Sequence, residues 1–146
     1  MKFSKLIFRD LTTFGSLVFF VFVIVITSLF GKEALFIDLL IGLVLMSLLI
    51  VVIRTIYFKE RPHKQEFNNF IEKIDASSFP SLHTSRVVFL MLILQEYSSN
   101  NLVTGLLVIF TSLIAYSRVF LKKHDWKDLL GGAIIGGISY FIILQI

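Results

Sequence analysis

Residues 34–62 read ALFIDLLIGLVLMSLLIVVIRTIYFKERP, a long apolar run that ends in a charged segment. A run of this length can cross a bilayer, which takes roughly 20 residues. Four further apolar stretches lie near residues 13–30, 79–95, 102–121 and 128–146, and this run itself covers 34–58. Because backbone groups in lipid must be paired within their own segment, each stretch is predicted to be helical. The sequence therefore predicts an all-α, polytopic membrane helix bundle with about five transmembrane helices.

The composition supports a membrane protein with one domain. Of the 146 residues, 56% are hydrophobic, above the roughly 45–50% of ordinary soluble domains. We predict a single membrane-embedded domain over residues 1–146, in which residues 1–12 form an interfacial segment. The chain contains no cysteine, which excludes disulfides, thiolate metal sites and cysteine nucleophiles.

The basic residues are distributed unevenly between the two predicted membrane faces. One face holds the N-terminus and the segments 59–78 and 122–127, and the other holds 31–33, 97–101 and the C-terminus. Of the 14 lysines and arginines, only Lys32 belongs to the second face. The positive-inside tendency therefore predicts that the basic face is cytoplasmic.

Polar residues that are costly in a membrane gather at helix ends on this basic face. An ionised residue inside a span costs about 2.5–3.5 kcal/mol on insertion scales. Several such residues at one face indicate a shared site rather than scattered tolerance. The candidates are Arg54, Arg61, Ser81, His83, Arg118, His124 and Asp128.

These residue types suit phosphoryl transfer without a metal ion. Guanidinium groups can bind phosphate oxygens in bidentate fashion, and the N–H groups that open a helix bind anions. His124 and Asp128, four residues apart, are expected to share one helix face, so that the carboxylate orients the imidazole for attack. His83 supplies a second imidazole, placed to give a proton to the departing oxygen.

Three sequence blocks resemble the signature of the type 2 phosphatidic acid phosphatase superfamily, whose soluble relatives include vanadium haloperoxidases. The third block of that family is Ser-Arg, five residues, His, three residues and Asp, and here it is matched in full. The second block, Pro-Ser-Gly-His, is similar to Pro-Ser-Leu-His here, and the first has arginine in place of the usual lysine. The matching residues are Arg54, Arg61-Pro62, Pro80-Ser81-Leu82-His83, Ser117-Arg118, His124 and Asp128.

The resemblance implies a role for each matched residue. It makes His124 the nucleophile, which forms a phosphohistidine, Asp128 the partner of His124, and His83 the general acid. It assigns phosphate binding to Arg54, Arg61, Ser81, Leu82 and Arg118. If the position of Leu82 required a positive φ, a branched side chain would be unfavourable there.

The predicted function is hydrolysis of a lipid phosphomonoester or diphosphate at the membrane. Candidate substrates are polyprenyl diphosphates, phosphatidic acid and phosphatidylglycerol phosphate. The alternatives are a lipid phosphotransferase that uses the same residues and a catalytically inactive membrane scaffold. No metal, cofactor or nucleic acid is expected, the partners are membrane lipids, and the oligomeric state stays open.

Three further expectations concern sidedness and single residues. Membrane members of the superfamily usually work on the exoplasmic face, which conflicts with the cytoplasmic side that the basic residues indicate. Arg86 is predicted to snorkel to the membrane interface rather than bind phosphate. Gly132 and Gly136 are predicted to allow close helix packing within the bundle.

Overall fold

The computed structural model describes residues 2–98 and 100–146, and all regular secondary structure in them is helical. Met1, in the predicted interfacial segment, and Ser99, in the predicted 97–101 turn, lie outside the described residues. The elements are a 3-10 turn at Thr13–Gly15 and seven helices: α1 Lys2–Thr12, α2 Leu17–Leu29, α3 Glu33–Ile56, α4 Phe70–Ala76, α5 Leu82–Glu96, α6 Asn101–Phe120 and α7 Trp126–Ile143.

Three helices, α3, α6 and α7, are long and apolar enough to cross a membrane. The segments Phe3–Gly15 and Leu17–Leu29 together could form a fourth span, bent by 49°. The predicted single helix over 13–30 is wrong, because Ser16 is extended and its side chain caps α2 by accepting from Phe19 N–H. In place of the predicted stretch 79–95, the structure has α5, which begins at Leu82. Its 15 residues fall below the usual length of a membrane span. By length and composition, the described residues contain three helices that can cross a membrane, or four spans with the bent pair, and the predicted number of five is not confirmed.

Helix α5 lies at the centre of the bundle and packs against α3, α6 and, most extensively, α7. Small residues allow the approach of α7, as predicted. A Cβ at Gly132 would lie 2.4 Å from the backbone oxygen of Ser81, and one at Gly136 would lie 2.6 Å from that of Ser85. The first turn of α5 is therefore fixed against the first turns of α7, because neither backbone has room to move closer.

The sides of α3 show which surface faces the bundle. Its buried residues recur every three or four positions and form one stripe, which ends at Arg54: Leu35, Leu39, Gly42, Met46, Ile50 and Arg54. Apolar side chains such as Val44 and Leu48 cover the opposite side and are exposed in the monomer. An outer surface this apolar suits lipid contact.

The segment 59–78, predicted only as a polar connection, contains the short helix α4. Asn69 caps this helix by accepting from Glu72 N–H, and its amide donates back to the Glu72 carboxylate. This pairing of a cap residue with Glu three positions later is a recognisable start signal. The α4 segment closes over the end of α3 and supplies backbone carbonyls to the arginines below.

Candidate active site

A cavity of about 310 Å³ lies at the basic end of the bundle, where the ends of α3 and α6 meet the start of α5. Six of the eight predicted site residues line it, although they come from widely separated parts of the sequence. The lining consists of Leu17, Arg54, Arg61, Asp75, Leu82, His83, Arg86, Arg118 and His124. The remaining two, Ser81 and Asp128, are fully buried behind this lining.

Arg54 and Arg61 are held by backbone carbonyls of the α4 segment. Arg54, in the last turn of α3, donates to the carbonyl oxygens of Ile74 at 3.2 Å and Pro80 at 2.9 Å. Arg61 donates to the carbonyl oxygen of Asp75 at 2.7 Å. These bonds fix the two guanidinium groups without neutralising them, because each acceptor is an uncharged carbonyl.

Arg118 and Arg86 complete a set of four guanidinium groups. Arg118 donates to the Thr12 hydroxyl at 3.0 Å, which ties the end of α6 to α1. Arg86 is only 6% exposed and its side chain makes no hydrogen bond to any described residue. The prediction that Arg86 snorkels to the interface is wrong, because the packing of α5 turns this side chain inward, one helical turn beyond His83.

The four arginines share an unusual feature: the buried Nε atom of each has no hydrogen-bond partner. A buried donor left unpaired carries a substantial free-energy cost, and native proteins rarely tolerate several in one place. An anion with many acceptor oxygens would satisfy these donors. The cavity therefore has the donors and the positive charge that a phosphate group requires.

His124 lies in the loop before α7, within the predicted 122–127 segment, and not on the helix whose face it was expected to share with Asp128. Helix α7 begins at Trp126, and Asp125 and Asp128 form a capping box at its start. The His124 backbone N–H donates to the carbonyl of Arg118 at 3.2 Å, which holds the loop against the end of α6. Its Nδ1 atom nevertheless lies 3.5 Å from the Asp128 carboxylate, as the spacing predicted.

Ser78 joins His124 to Asp128 and was not identified from the sequence. Its hydroxyl donates a short hydrogen bond to Asp128 and lies 3.3 Å from Nδ1 of His124. Since the one hydroxyl proton points to Asp128, the serine oxygen can accept from Nδ1–H. This arrangement favours the tautomer that leaves Nε2 of His124 as a free nucleophile.

Lys59 is a second residue that the sequence did not reveal. Its Nζ atom contacts the carboxylates of Asp125 at 2.6 Å and Asp128 at 2.7 Å. Asp128, with no exposed side-chain surface, thus has donors from Lys59, Ser78 and the backbone of Asp125. Such a fully bonded carboxylate stays ionised and fixed in position.

The pKa values of the groups outside the helices follow from these contacts. Burial lowers the pKa of His124 below its usual range, and the hydrogen bond to Asp128 offsets only part of that effect. Burial also lowers the pKa of Arg61. Burial of Lys59 acts in the same direction, but its hydrogen bonds to Asp125 and Asp128 prevail and raise the pKa. At neutral pH, His124 is therefore uncharged and Lys59 is cationic.

The block that contains Ser81, Leu82 and His83 opens α5 towards the cavity. The Ser81 hydroxyl caps the helix and accepts from the Thr84 hydroxyl at 3.0 Å, so it does not line the cavity. Leu82 lines the cavity and has an ordinary helical backbone, so its branched side chain causes no strain. The N–H groups of Leu82 and His83, in the first helical turn, have no intrahelical acceptor and can serve an anion.

Among residues 2–98 and 100–146, no three His, Cys, Asp or Glu side chains group closely enough to hold a metal ion. The charged residues that line the cavity are instead four arginines and Asp75.

Two solved structures share this fold. The crystal structure of Aquifex aeolicus LpxE matches with a TM-score of 0.82 and 22% identity, over 100% of this chain and 88% of that one. A transmembrane PAP2 type phosphatidylglycerolphosphate phosphatase from Bacillus subtilis matches with a TM-score of 0.76 and 22% identity, over 99% of this chain and 77% of that one.

The sequence itself matches a curated relative and a family model. A Drosophila melanogaster protein, described provisionally as a phosphatidate phosphatase, is 34% identical over 77 residues, 45% of this chain. The matched stretch spans about a fifth of the length of that curated relative (20%). The family model for the PAP2 superfamily matches residues 35–146, from the start of α3 to the last residue of the chain. That match covers most of the chain and includes all three blocks, so the protein belongs to the PAP2 superfamily.

Proposed function

We propose that the protein hydrolyses a phosphomonoester or diphosphate of a membrane lipid through a phosphohistidine at His124. The observation that carries the proposal is the cavity itself, which His124 lines together with four arginines whose Nε atoms are buried and unpaired. Family membership and the names of the relatives agree with a lipid phosphate as the substrate.

In the first step, Nε2 of His124 attacks phosphorus and the bond from phosphorus to the lipid oxygen breaks. His83 donates its proton to that departing oxygen. Asp128, held by Lys59 and Ser78, stabilises the imidazole ring as positive charge develops on it. In the second step, His83 accepts a proton from water as the water oxygen attacks phosphorus, and inorganic phosphate leaves His124.

The arginines supply the electrostatic stabilisation in this mechanism. Negative charge on the transferring group meets Arg54, Arg61 and Arg118, all of which are fixed before the substrate arrives. Preorganised donors in a site that excludes water are worth far more than donors in solution. The proposed reaction therefore uses no metal ion, and the N–H groups of Leu82 and His83 at the start of α5 add further donors.

We further propose a multi-pass membrane topology in which α5 is a short fifth span enclosed by its neighbours. The substrate phosphate would enter the cavity at the bilayer edge while its chains remain among the helices. Labelling of single cysteines at Lys64 and Asn100 with an impermeant reagent tests the sidedness, since the chain has no native cysteine. Reaction of position 64 from outside intact cells would contradict the cytoplasmic site that the basic residues indicate.

The test of the activity is phosphate release by the purified protein from a panel of lipid phosphates. The panel contains a polyprenyl diphosphate, phosphatidic acid and phosphatidylglycerol phosphate. His124→Ala should abolish release, whereas His63→Ala, which removes an exposed histidine outside the cavity, should retain it. Equal phosphate release by wild type and His124→Ala would refute the mechanism. If the wild type released no phosphate, the remaining hypothesis would be a catalytically inactive membrane scaffold.

A phosphotransferase that uses the same residues is the second candidate. The phosphohistidine would then pass its group to an acceptor other than water. Product analysis with and without added lipid alcohols separates the two reactions. Hydrolysis predicts inorganic phosphate as the main product in both cases.

A further inference from the structure

Arg86 differs from the other three arginines of the cavity because its side chain has no hydrogen-bond partner among residues 2–98 and 100–146. Arg54, Arg61 and Arg118 each donate at least one hydrogen bond to a carbonyl or hydroxyl oxygen. Arg86 donates none to the described residues, although its side chain is more than nine-tenths buried and lines the cavity. A buried cation without a partner is strongly disfavoured, so an anionic ligand is expected to complete its environment.

The position of Arg86 places it on the side of the cavity near His83. The two residues are three positions apart on α5 and therefore share one helix face. In the proposed mechanism His83 serves the leaving oxygen, so Arg86 lies on the leaving-group side rather than beside the nucleophile.

The charge and size of the cavity exceed what one phosphate group needs. Among the described residues, four arginines and one acidic residue, Asp75, line a volume of about 310 Å³. At roughly 30 Å³ for each water, that volume corresponds to about ten water molecules. A diphosphate carries one more negative charge than a phosphomonoester and a second set of oxygen atoms. It therefore matches both the additional positive charge and the additional volume of the cavity.

We propose that Arg86 forms a second phosphate subsite that makes the protein selective for lipid diphosphates. The inference rests on the proposed function and specifies its substrate class. Nε2 of His124 attacks the terminal phosphorus, and the bond from that phosphorus to the bridging oxygen breaks. The lipid monophosphate is the leaving group, and Arg86 pairs with its phosphate. His83 donates a proton to the oxygen that formerly bridged the two phosphorus atoms. Water then releases inorganic phosphate from His124.

The experiment compares a prenyl diphosphate with the monophosphate of the same prenyl alcohol, using the full chain in detergent. Initial rates give kcat/KM for each substrate. Wild type should prefer the diphosphate. Arg86→Met should lower kcat/KM for the diphosphate by about 10- to 100-fold, the value of a lost hydrogen bond to a charged group, and the monophosphate value by much less. Arg86→Lys should retain part of the preference.

Arg9→Met is the matched control, since Arg9 is an exposed arginine of α1 outside the cavity. It should leave the diphosphate-to-monophosphate ratio of kcat/KM unchanged. An equal ratio in wild type and Arg86→Met would overturn the inference while leaving the proposed hydrolysis intact. Release from neither lipid by wild type would instead refute the proposed function.

A binding measurement tests the subsite independently of turnover and of the folding of the variants. Inorganic pyrophosphate should raise the Tm of the wild-type protein more than inorganic phosphate at the same concentration, because it can occupy both subsites. Equal Tm shifts would contradict a second subsite.

Discussion

Replacing Lys59 by methionine tests whether the cation behind the cavity positions Asp128, the carboxylate proposed to orient His124. Lys59 does not line the cavity, yet its ammonium group contacts the buried Asp128 at 2.7 Å and the half-exposed Asp125 at 2.6 Å. Methionine keeps the length and apolar stem of lysine and removes only the charge and its donors. Asp128 would retain the hydrogen bonds from Ser78 and from the Asp125 backbone.

The size of the effect follows from the exposure of the two carboxylates. The Asp125 side chain is 43% exposed, so solvent screening reduces the contribution of its ion pair with Lys59 to about 0–1 kcal/mol. The bond to Asp128, whose side chain has no exposed surface, contributes about 1.5–3 kcal/mol. If that amount is lost from the transition state, kcat/KM falls by about 10- to 100-fold.

The pH profile supplies a readout that a purely structural role would not move. In the wild type, burial lowers the pKa of His124, so the acidic limb of kcat/KM should lie below the ordinary histidine value of about 6.5. Without Lys59, the unopposed charge of Asp128 favours protonated His124. The acidic limb should therefore move to higher pH in Lys59→Met, and Lys59→Arg should restore it in part.

Lys64→Met is the control for this prediction, because Lys64 is an exposed lysine paired only with Glu60. It should leave both kcat/KM and the acidic limb where they are in the wild type. If Lys59→Met loses activity with no movement of the limb, then Lys59 supports the fold but does not tune His124. Unchanged activity would refute the positioning role altogether.

Three further predictions follow from single contacts. In Gly132→Ala the new Cβ would lie 2.4 Å from the backbone oxygen of Ser81, so the substitution should lower the free energy of unfolding by about 1–3 kcal/mol and lower the Tm. Gly137→Ala is the control, because its Cβ would meet no atom within 4 Å and should not lower the Tm. Thr12→Val removes the acceptor of Arg118 at 3.0 Å and should lower kcat/KM by about five-fold, from a bond worth about 1 kcal/mol; an unchanged value would show that α1 does not hold this arginine. Because the folded-state pKa of His124 is lowered, the unfolded chain binds its proton first, and stability should fall as pH drops below about 6.5. Thermal unfolding between pH 7 and 5 should show a smaller loss in His124→Ala than in wild type.

Hydropathy predicted the helices well where a span is continuous and poorly where it is broken. The runs that became α3, α6 and α7 were placed to within a few residues, because lipid imposes helix on any long apolar segment. The break at Ser16 was missed, since one capping serine barely changes the hydropathy of its neighbours. The short length of α5 was also missed, because the polar cap at Ser81 delays its start.

The sequence predicted the site residues that belong to the three motif blocks, and it did not reveal those that lie outside the blocks. Arg54, His83, Arg118 and His124 were chosen by their spacing and their positions at helix ends, and they do meet in one cavity. Ser78 lies 46 residues from His124 along the chain and carries no motif, so no local signal identifies it.

The sequence by itself determined a helical membrane protein with its phosphate-binding residue types gathered at one end. Those properties follow from composition and short-range spacing, which act through lipid solvation and the helical repeat. Only the tertiary structure decided that Lys59 reaches Asp128 across 69 positions and that Arg86 turns into the cavity. The physical reason is that packing against neighbouring helices selects which face of a helix points inward. For α5 that packing is the close contact of its first turn with the glycines of α7.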